Sequence, residues 1–129
     1  MSPSWKPDGY STVSPDLVVN GAQEVLDFLA EAFDATPLRR YEADDGSIVH
    51  AEARVGDTVV MVGEAGDEWP ARTAFLHVYV RDVDETYRRA IDAGGVAVEE
   101  PARREGDPDR RGGVRDPAGN TWWIATPVG

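Results

Sequence analysis

The chain has two histidines, His50 and His77, and each stands in a strand-like run with other chemically capable side chains at alternate positions. Ile48, His50, Glu52 and Arg54 share one parity of residues 48–55, while Phe75, His77 and Tyr79 share one parity of residues 75–80. Alternate residues of a strand project from the same face. The first run would therefore present imidazole, carboxylate and guanidinium together, and the second an imidazole between two aromatic rings. The opposite parities hold Val49, Ala51, Ala53 and Val55, then Leu76, Val78 and Val80, all apolar and expected to pack on helices. A strand with such a polar side is either half solvated or lines a polar cavity. Its groups could ligate a metal or hydrogen-bond a bound molecule. Cysteine is absent, which excludes disulfide scaffolds, thiolate nucleophiles and cysteine-ligated zinc. No serine stands in a nucleophile-elbow context, and no Gly-rich loop follows a strand to cradle phosphate.

The elements that must position these residues occur twice. Residues 17–35 read as a short apolar strand followed by a helix, and residues 78–95 read the same way, with Val19 aligned to Val80 at an offset of 61. Each half closes on a turn and strand, residues 56–62 and 119–125, at an offset of 63. Asn20 with Gln23 and Asp82 with Glu85 fit the capping-box spacing at the helix starts. Val25, Leu26, Leu29 and Phe33 stripe the first helix, and Val83, Tyr87, Ala90 and Ile91 the second, which stops at Gly94-Gly95. The spacing predicts further strands over 38–43, 48–55 and 58–62 in the first half, and over 96–99, near 113–115 and over 121–126 in the second. Each half is thus β-α-β-β-β. The expectation is an α+β fold, one domain over 1–129, with modules of about 11–66 and 73–128 sharing a curved mixed sheet around a concave cleft. Asp16 and Val18 would be the first-half counterparts on the cleft face. Residues 101–113 read as a polar loop in which Arg103, Arg104, Arg110 and Arg111 concentrate positive charge, with Arg110 a candidate ligand contact.

A length of 129 residues leaves room for one domain. Asp plus Glu number 24 against 13 Lys plus Arg, a formal net charge of −11. That balance disfavours sequence-independent binding to nucleic acid or to anionic lipid, and it attracts cations. No apolar run approaches the roughly 18 residues of a membrane span, so the expected setting is the cytoplasm. Trp5 and Trp69 fall in loops and read as subunit contacts, whereas Trp122 reads as core.

Two βαβββ modules in tandem, with Asp116-Pro-Ala-Gly119 before a final apolar strand, resemble the vicinal oxygen chelate superfamily, which includes glyoxalase I, extradiol dioxygenases and bleomycin-resistance proteins. The stretches Gly-Ser-Ile-Val-His-Ala-Glu-Ala-Arg-Val-Gly-Asp (46–57) and Asp-Arg-Arg-Gly-Gly-Val-Arg-Asp-Pro-Ala-Gly-Asn-Thr-Trp (109–122) are similar to its PhnB-like branch. In metal-dependent members, the first and last strand of each module supply the ligands. The resemblance places these positions at Asp16 and His77, and at Val60 and Trp123. Valine and tryptophan offer a metal no lone pair, so the family metal site is expected to be lost. A divalent metal held by the atypical set His77, His50, Glu52 and Asp16 is the alternative, with lyase, isomerase or dioxygenase activity. The leading expectation is a cofactor-free homodimer that sequesters an apolar or cationic small molecule in the manner of bleomycin-resistance proteins. Asp16, His50, Glu52, Phe75, His77, Tyr79, Trp123 and Arg110 are its candidate ligand-binding residues.

Overall fold

A computed structural model describes residues 5–128. The chain runs β1 (Asp16–Val19), α1 (Ala22–Phe33), β2 (Thr36–Glu42), β3 (Ile48–Val55) and β4 (Thr58–Glu64). The order then repeats as β5 (Phe75–Tyr79), α2 (Val83–Asp92), β6 (Val96–Arg103), β7 (Asp109–Arg115) and β8 (Thr121–Pro127). The modules form two separate four-stranded sheets, ordered β1-β4-β3-β2 and β5-β8-β7-β6, in place of one continuous sheet. In each, the first strand lies parallel to the last and the remaining pairs are antiparallel. The parallel pair needs a crossover, and the helix supplies it.

One hydrophobic core serves both modules. Val25, Phe28, Leu29 and Ala32 of α1 join Leu17, Val62, Ala90, Val114, Trp122 and Ile124 in a single buried cluster. The Phe33 ring packs on Trp122 at 5.1 Å between centroids. At the rim, Arg89 of α2 grips the Asp34 carboxylate through both terminal nitrogens, at 2.6 and 3.1 Å. This pairing holds Asp34 below the usual carboxylate range. Gly95 is closely packed between α2 and β7 with α1 against it: a Cβ there would stand 2.4 Å from Val114 Cγ1, 2.7 Å from the Ala90 carbonyl oxygen and 3.1 Å from Phe28 Cε1. Because one of these neighbours is backbone, Gly95→Ala is expected to cost about 1–3 kcal/mol. Denaturant unfolding measures it, and a loss within error of zero would contradict the close packing.

Three expectations change at the level of the elements. Helix α1 is capped at long range: the Glu64 carboxylate at the end of β4 accepts from the backbone N–H groups of Gly21 and Ala22, both at 2.9 Å. Asn20 provides no side-chain cap, because the cap position is Gly21 in a left-handed conformation. At α2 the Asp82 side chain does cap the helix, accepting from the Glu85 N–H. In β3, a register shift opposite Tyr41–Glu42 breaks the alternation, so that Ile48 is in the core and Val49 is 61% exposed. Strands β6 and β7 are far longer than their composition suggests. They pair as far as Ala102 with Arg111 and Arg103 with Arg110, which reduces the polar loop to residues 104–108 and places Arg110 and Arg111 in a strand.

Candidate functional site

Register decides what the second sheet presents. His77 lies beside Trp123 and Trp123 beside Gly113, while Tyr79 lies beside Ala125 and Ala125 beside Arg111. Cross-strand neighbours share a face. Phe75, His77, Tyr79, Arg111 and Trp123 therefore stand together on the side away from the helices, as the alternation of β5 requires. Phe75 is 81% and Tyr79 62% exposed, and Trp123 is half-buried. The six-membered ring of Trp123 lies against Gly113, where a Cβ would come within 2.6 Å of Cζ3, so only glycine lets the indole settle there.

Arg111 organises the polar part of this face. Its Nη2 donates to Asp109 Oδ2 at 3.0 Å, Nη1 donates to Asp107, and Nε donates to His77 Nε2 at 3.3 Å. The Tyr79 hydroxyl donates to the same Asp109 oxygen at 2.8 Å. This bond, reinforced by burial, raises the Tyr79 pKa above its ordinary value. Asp107 is held low, chiefly by the Asp109 backbone N–H and then by Arg111, against the opposing effect of burial. An imidazole that accepts at Nε2 carries its proton on Nδ1 when neutral. One guanidinium between two carboxylates leaves the cluster net negative, and the chain's charge of −11 has the same sign. The face thus offers aromatic surface, a phenol, an imidazole and a negative field, a combination suited to a flat apolar or cationic molecule.

The corresponding face of the first sheet is covered by the chain itself. Arg54 Nη2 donates to the Gly9 carbonyl at 3.2 Å, and the Val59 N–H donates to Ser11 Oγ. The Tyr10 hydroxyl donates to Glu52 Oε1, whose other oxygen bonds His50 Nε2 at 2.8 Å. Burial opposes ionisation of Glu52, but the bonds from Tyr10 and His50, with Arg39 nearby, outweigh it and hold the carboxyl below its ordinary value. His50 and Glu52 therefore form one unit with Tyr10. The sequence placed them on this face correctly but gave no sign that an arm lies over them.

Several candidate positions are rearranged. Arg110 points the other way: it pairs with Asp84 of α2, both contacts at 2.9 Å, which lowers the Asp84 pKa. Arg111 is the arginine of the open face. Three of the four arginines are matched by carboxylates, Arg104 by Glu99, Arg110 by Asp84 and Arg111 by Asp107 and Asp109, while Arg103 donates to the Asp107 carbonyl. Asp16 and His77 both line a shallow groove between the edges of β1 and β5. Asp16 pairs in register with Met61, as His77 pairs with Trp123, so the first-half equivalent of Trp123 is Met61, whereas Val60 is buried in the core. The four family metal positions thus hold Asp16, Met61, His77 and Trp123, and Arg111 bonds the Nε2 of His77. That donor set does not fit a divalent metal. The atypical set is not gathered either, because His50 and Glu52 lie on the first sheet with Tyr10. Among the described residues no group of three His, Cys, Asp or Glu side chains converges to hold a metal ion.

A larger cleft of about 860 Å³ opens between the modules on the helix side. Phe33, Val60, Leu76, Val78 and Trp122 line it. At its rim Asp34 pairs with Arg89 and Asp82 caps the start of α2, while Asp57, Arg81, Glu85, His77 and Tyr79 also border it.

The family model for the Glyoxalase/Bleomycin resistance protein/Dioxygenase superfamily matches residues 11–124. The chain belongs to that superfamily. An uncharacterised protein of Mycobacterium bovis is 34% identical over 90% of this chain and 83% of its own length. Among solved superfamily-like structures, TioX from Micromonospora sp. ML1 superposes with a TM-score of 0.77 at 27% identity, covering 92% of this chain and 99% of TioX. TnmS3, an antibiotic binding protein from Streptomyces sp. CB03234, shares the fold at a TM-score of 0.71 and 20% identity, covering 92% of this chain and 97% of TnmS3. Among the described residues no helix is long and apolar enough to cross a membrane.

Proposed function

We propose that this superfamily member is a non-enzymatic small-molecule-binding protein, allied to the drug-sequestering bleomycin-resistance proteins and to their PhnB-like branch. Its ligand would be flat and apolar or cationic, and the second sheet would hold it. The observation that carries this reading is the open face on which Trp123, His77, Tyr79 and Phe75 surround the Arg111–Asp109 cluster. The description of TnmS3 as an antibiotic binding protein lends support, because it shows the fold used for such a task. The unsuitable donors at the family metal positions argue against metal-dependent chemistry at that place.

The proposed unit is a homodimer. Phe75 and Tyr79 are too exposed for a finished binding pocket, and a second copy would cover them. A monomeric mass in size-exclusion chromatography with light scattering would contradict this arrangement.

Proflavine, a planar tricyclic aromatic cation, provides the test. It is expected to quench tryptophan fluorescence saturably, with Trp123→Ala weakening its affinity roughly tenfold or more. Arg110→Ala, on the helix side, should leave that affinity unchanged. The competing reading, a glyoxalase-like lyase, isomerase or dioxygenase with an atypical metal, requires stoichiometric Mn, Fe, Zn or Ni in protein purified without chelator, lost in His77→Ala.

A further inference from the structure

We propose that the first sheet carries a second binding site, for a neutral hydroxylated aromatic ring, and that Tyr10 occupies it as a tethered stand-in. Glu52 is 5% exposed, and each of its oxygens has a distinct partner. His50, two residues away on the same strand face, bonds Oε2 at 2.8 Å and fixes the carboxylate. The partner of Oε1 is a phenol from a segment 42 positions away in sequence. The Arg39 guanidinium sits 5.2 Å from the centre of the Tyr10 ring. An oriented acceptor, an imidazole that holds it and a cation over the ring together recognise an aryl hydroxyl. An anionic ring would be repelled by Glu52, and a ring without a hydroxyl would leave Oε1 unpaired in a buried place.

The arm that brings Tyr10 is separable from the fold. Among the described residues none before Leu17 belongs to the hydrophobic core. The arm is held instead by polar contacts at its surface, Arg54 to Gly9 and Val59 to Ser11, at 3.2 and 3.3 Å. At the offset of 61, the second-module counterpart of Glu52 is Gly113, so the carboxylate anchor belongs to the first face alone. This site is independent of the second-sheet reading.

The probes are p-cresol, which is the tyrosine side chain as a free molecule, and toluene, which lacks only the hydroxyl. Affinities of both are measured by ligand-observed NMR on the full chain, on Tyr10→Ala and on Tyr10→Ala with Glu52→Gln. Tyr10→Ala is expected to bind p-cresol at least tenfold more tightly than the unaltered chain. Adding Glu52→Gln should reverse most of that gain, and toluene should bind at least tenfold more weakly than p-cresol. Equal p-cresol affinity with and without Tyr10, indifference to Glu52→Gln, or equal binding of toluene would each overturn the proposal. A melting curve accompanies each variant, and loss of folding in Tyr10→Ala would overturn the claim that the arm is separable. Tyr10→Phe gives a second reading: protease cleavage within residues 5–15 should speed up when only the hydroxyl is gone, and an unchanged rate would count against the Glu52 anchor. Proflavine affinity of the same variants reports on the second sheet, so failure of one site is distinguishable from failure of the other.

Discussion

Asp116→Ala is expected to destabilise the protein by about 3–5 kcal/mol, the largest loss anticipated from any single truncation considered. The carboxylate is 2% exposed and gathers four donors. Its Oδ1 accepts the backbone N–H groups of Ala118 and Asn120, at 2.9 and 3.0 Å. Its Oδ2 accepts Asn120 Nδ2 and Trp122 Nε1, both at 3.0 Å. Alanine would strand all four in a buried place. The consequences spread outward because Asn120 in turn accepts the Ala74 N–H ahead of β5, and Trp122 packs on Phe33 across the module boundary. The turn before β8 therefore sets β5 and β8, two of the three strands that carry the open face. A fall in melting temperature on the order of 10–20 °C would follow from that energy in a domain of this size. Asp116→Asn, which keeps one acceptor oxygen but replaces the other with an amide nitrogen facing two donors, should fall between the alanine variant and the unaltered chain.

The second large effect concerns Arg111. Arg111→Ala removes the cation between Asp107 and Asp109 and leaves two carboxylates, one of them 3% exposed, without a positive partner. Truncating one member of a buried pair costs more than the pair contributes, because the survivor stays desolvated. A loss of about 1–3 kcal/mol is expected at neutral pH, since Asp109 is buried while Arg111 and Asp107 are only partly so. Two features identify the cause. Adding Asp109→Asn should recover part of the loss, since the uncompensated charge is then gone. The pH dependence has a definite sign as well. Asp107 is depressed in the folded protein, so its stabilisation is present above the ordinary carboxylate value of 3.8 and is lost as pH falls through its lower folded value. Removing Arg111 takes away part of that depression, so the gap between variant and unaltered chain should narrow in acid. A gap that stayed constant from neutral pH to acid would show that Arg111 acts by packing alone.

The sequence carried much of the open face and little of what supports it. His77, Tyr79, Phe75 and Trp123 were legible because a strand has period two and the apolar parity identifies the helix side. The modules were legible because one helix–strand order recurs. Arg111 and Asp109 were missed for a physical reason. Their strand is written largely in Asp, Arg and Gly, and it forms because backbone ladders bind it to β6 and β8 while its arginines pair with Asp84, Asp107 and Asp109. The signal was nevertheless available: Asp109, Arg111 and Gly113 keep the same alternation that ends on the face of Trp123. The Glu64 cap and the Tyr10 arm are contacts between residues more than 40 positions apart, and local spacing holds no trace of them. The shift from Val60 to Met61 came from a turn one residue different in length between the halves, which a strand converts into a change of face.

The central claim is that the open face of the second sheet, and not the larger cleft between the helices, holds the ligand. The four tryptophans allow it to be tested directly, since each gives its own indole N–H signal in a proton–nitrogen correlation spectrum. On titration with proflavine, the account predicts that the Trp123 indole and the backbone of His77, Tyr79 and Arg111 shift together and saturate. The Trp122 indole, bonded to Asp116 and facing the helix-side cleft, should stay in place. Shifts centred on Trp122, Phe33 and Arg89 with Trp123 unmoved would contradict the account and place the binding site in the cleft between the modules.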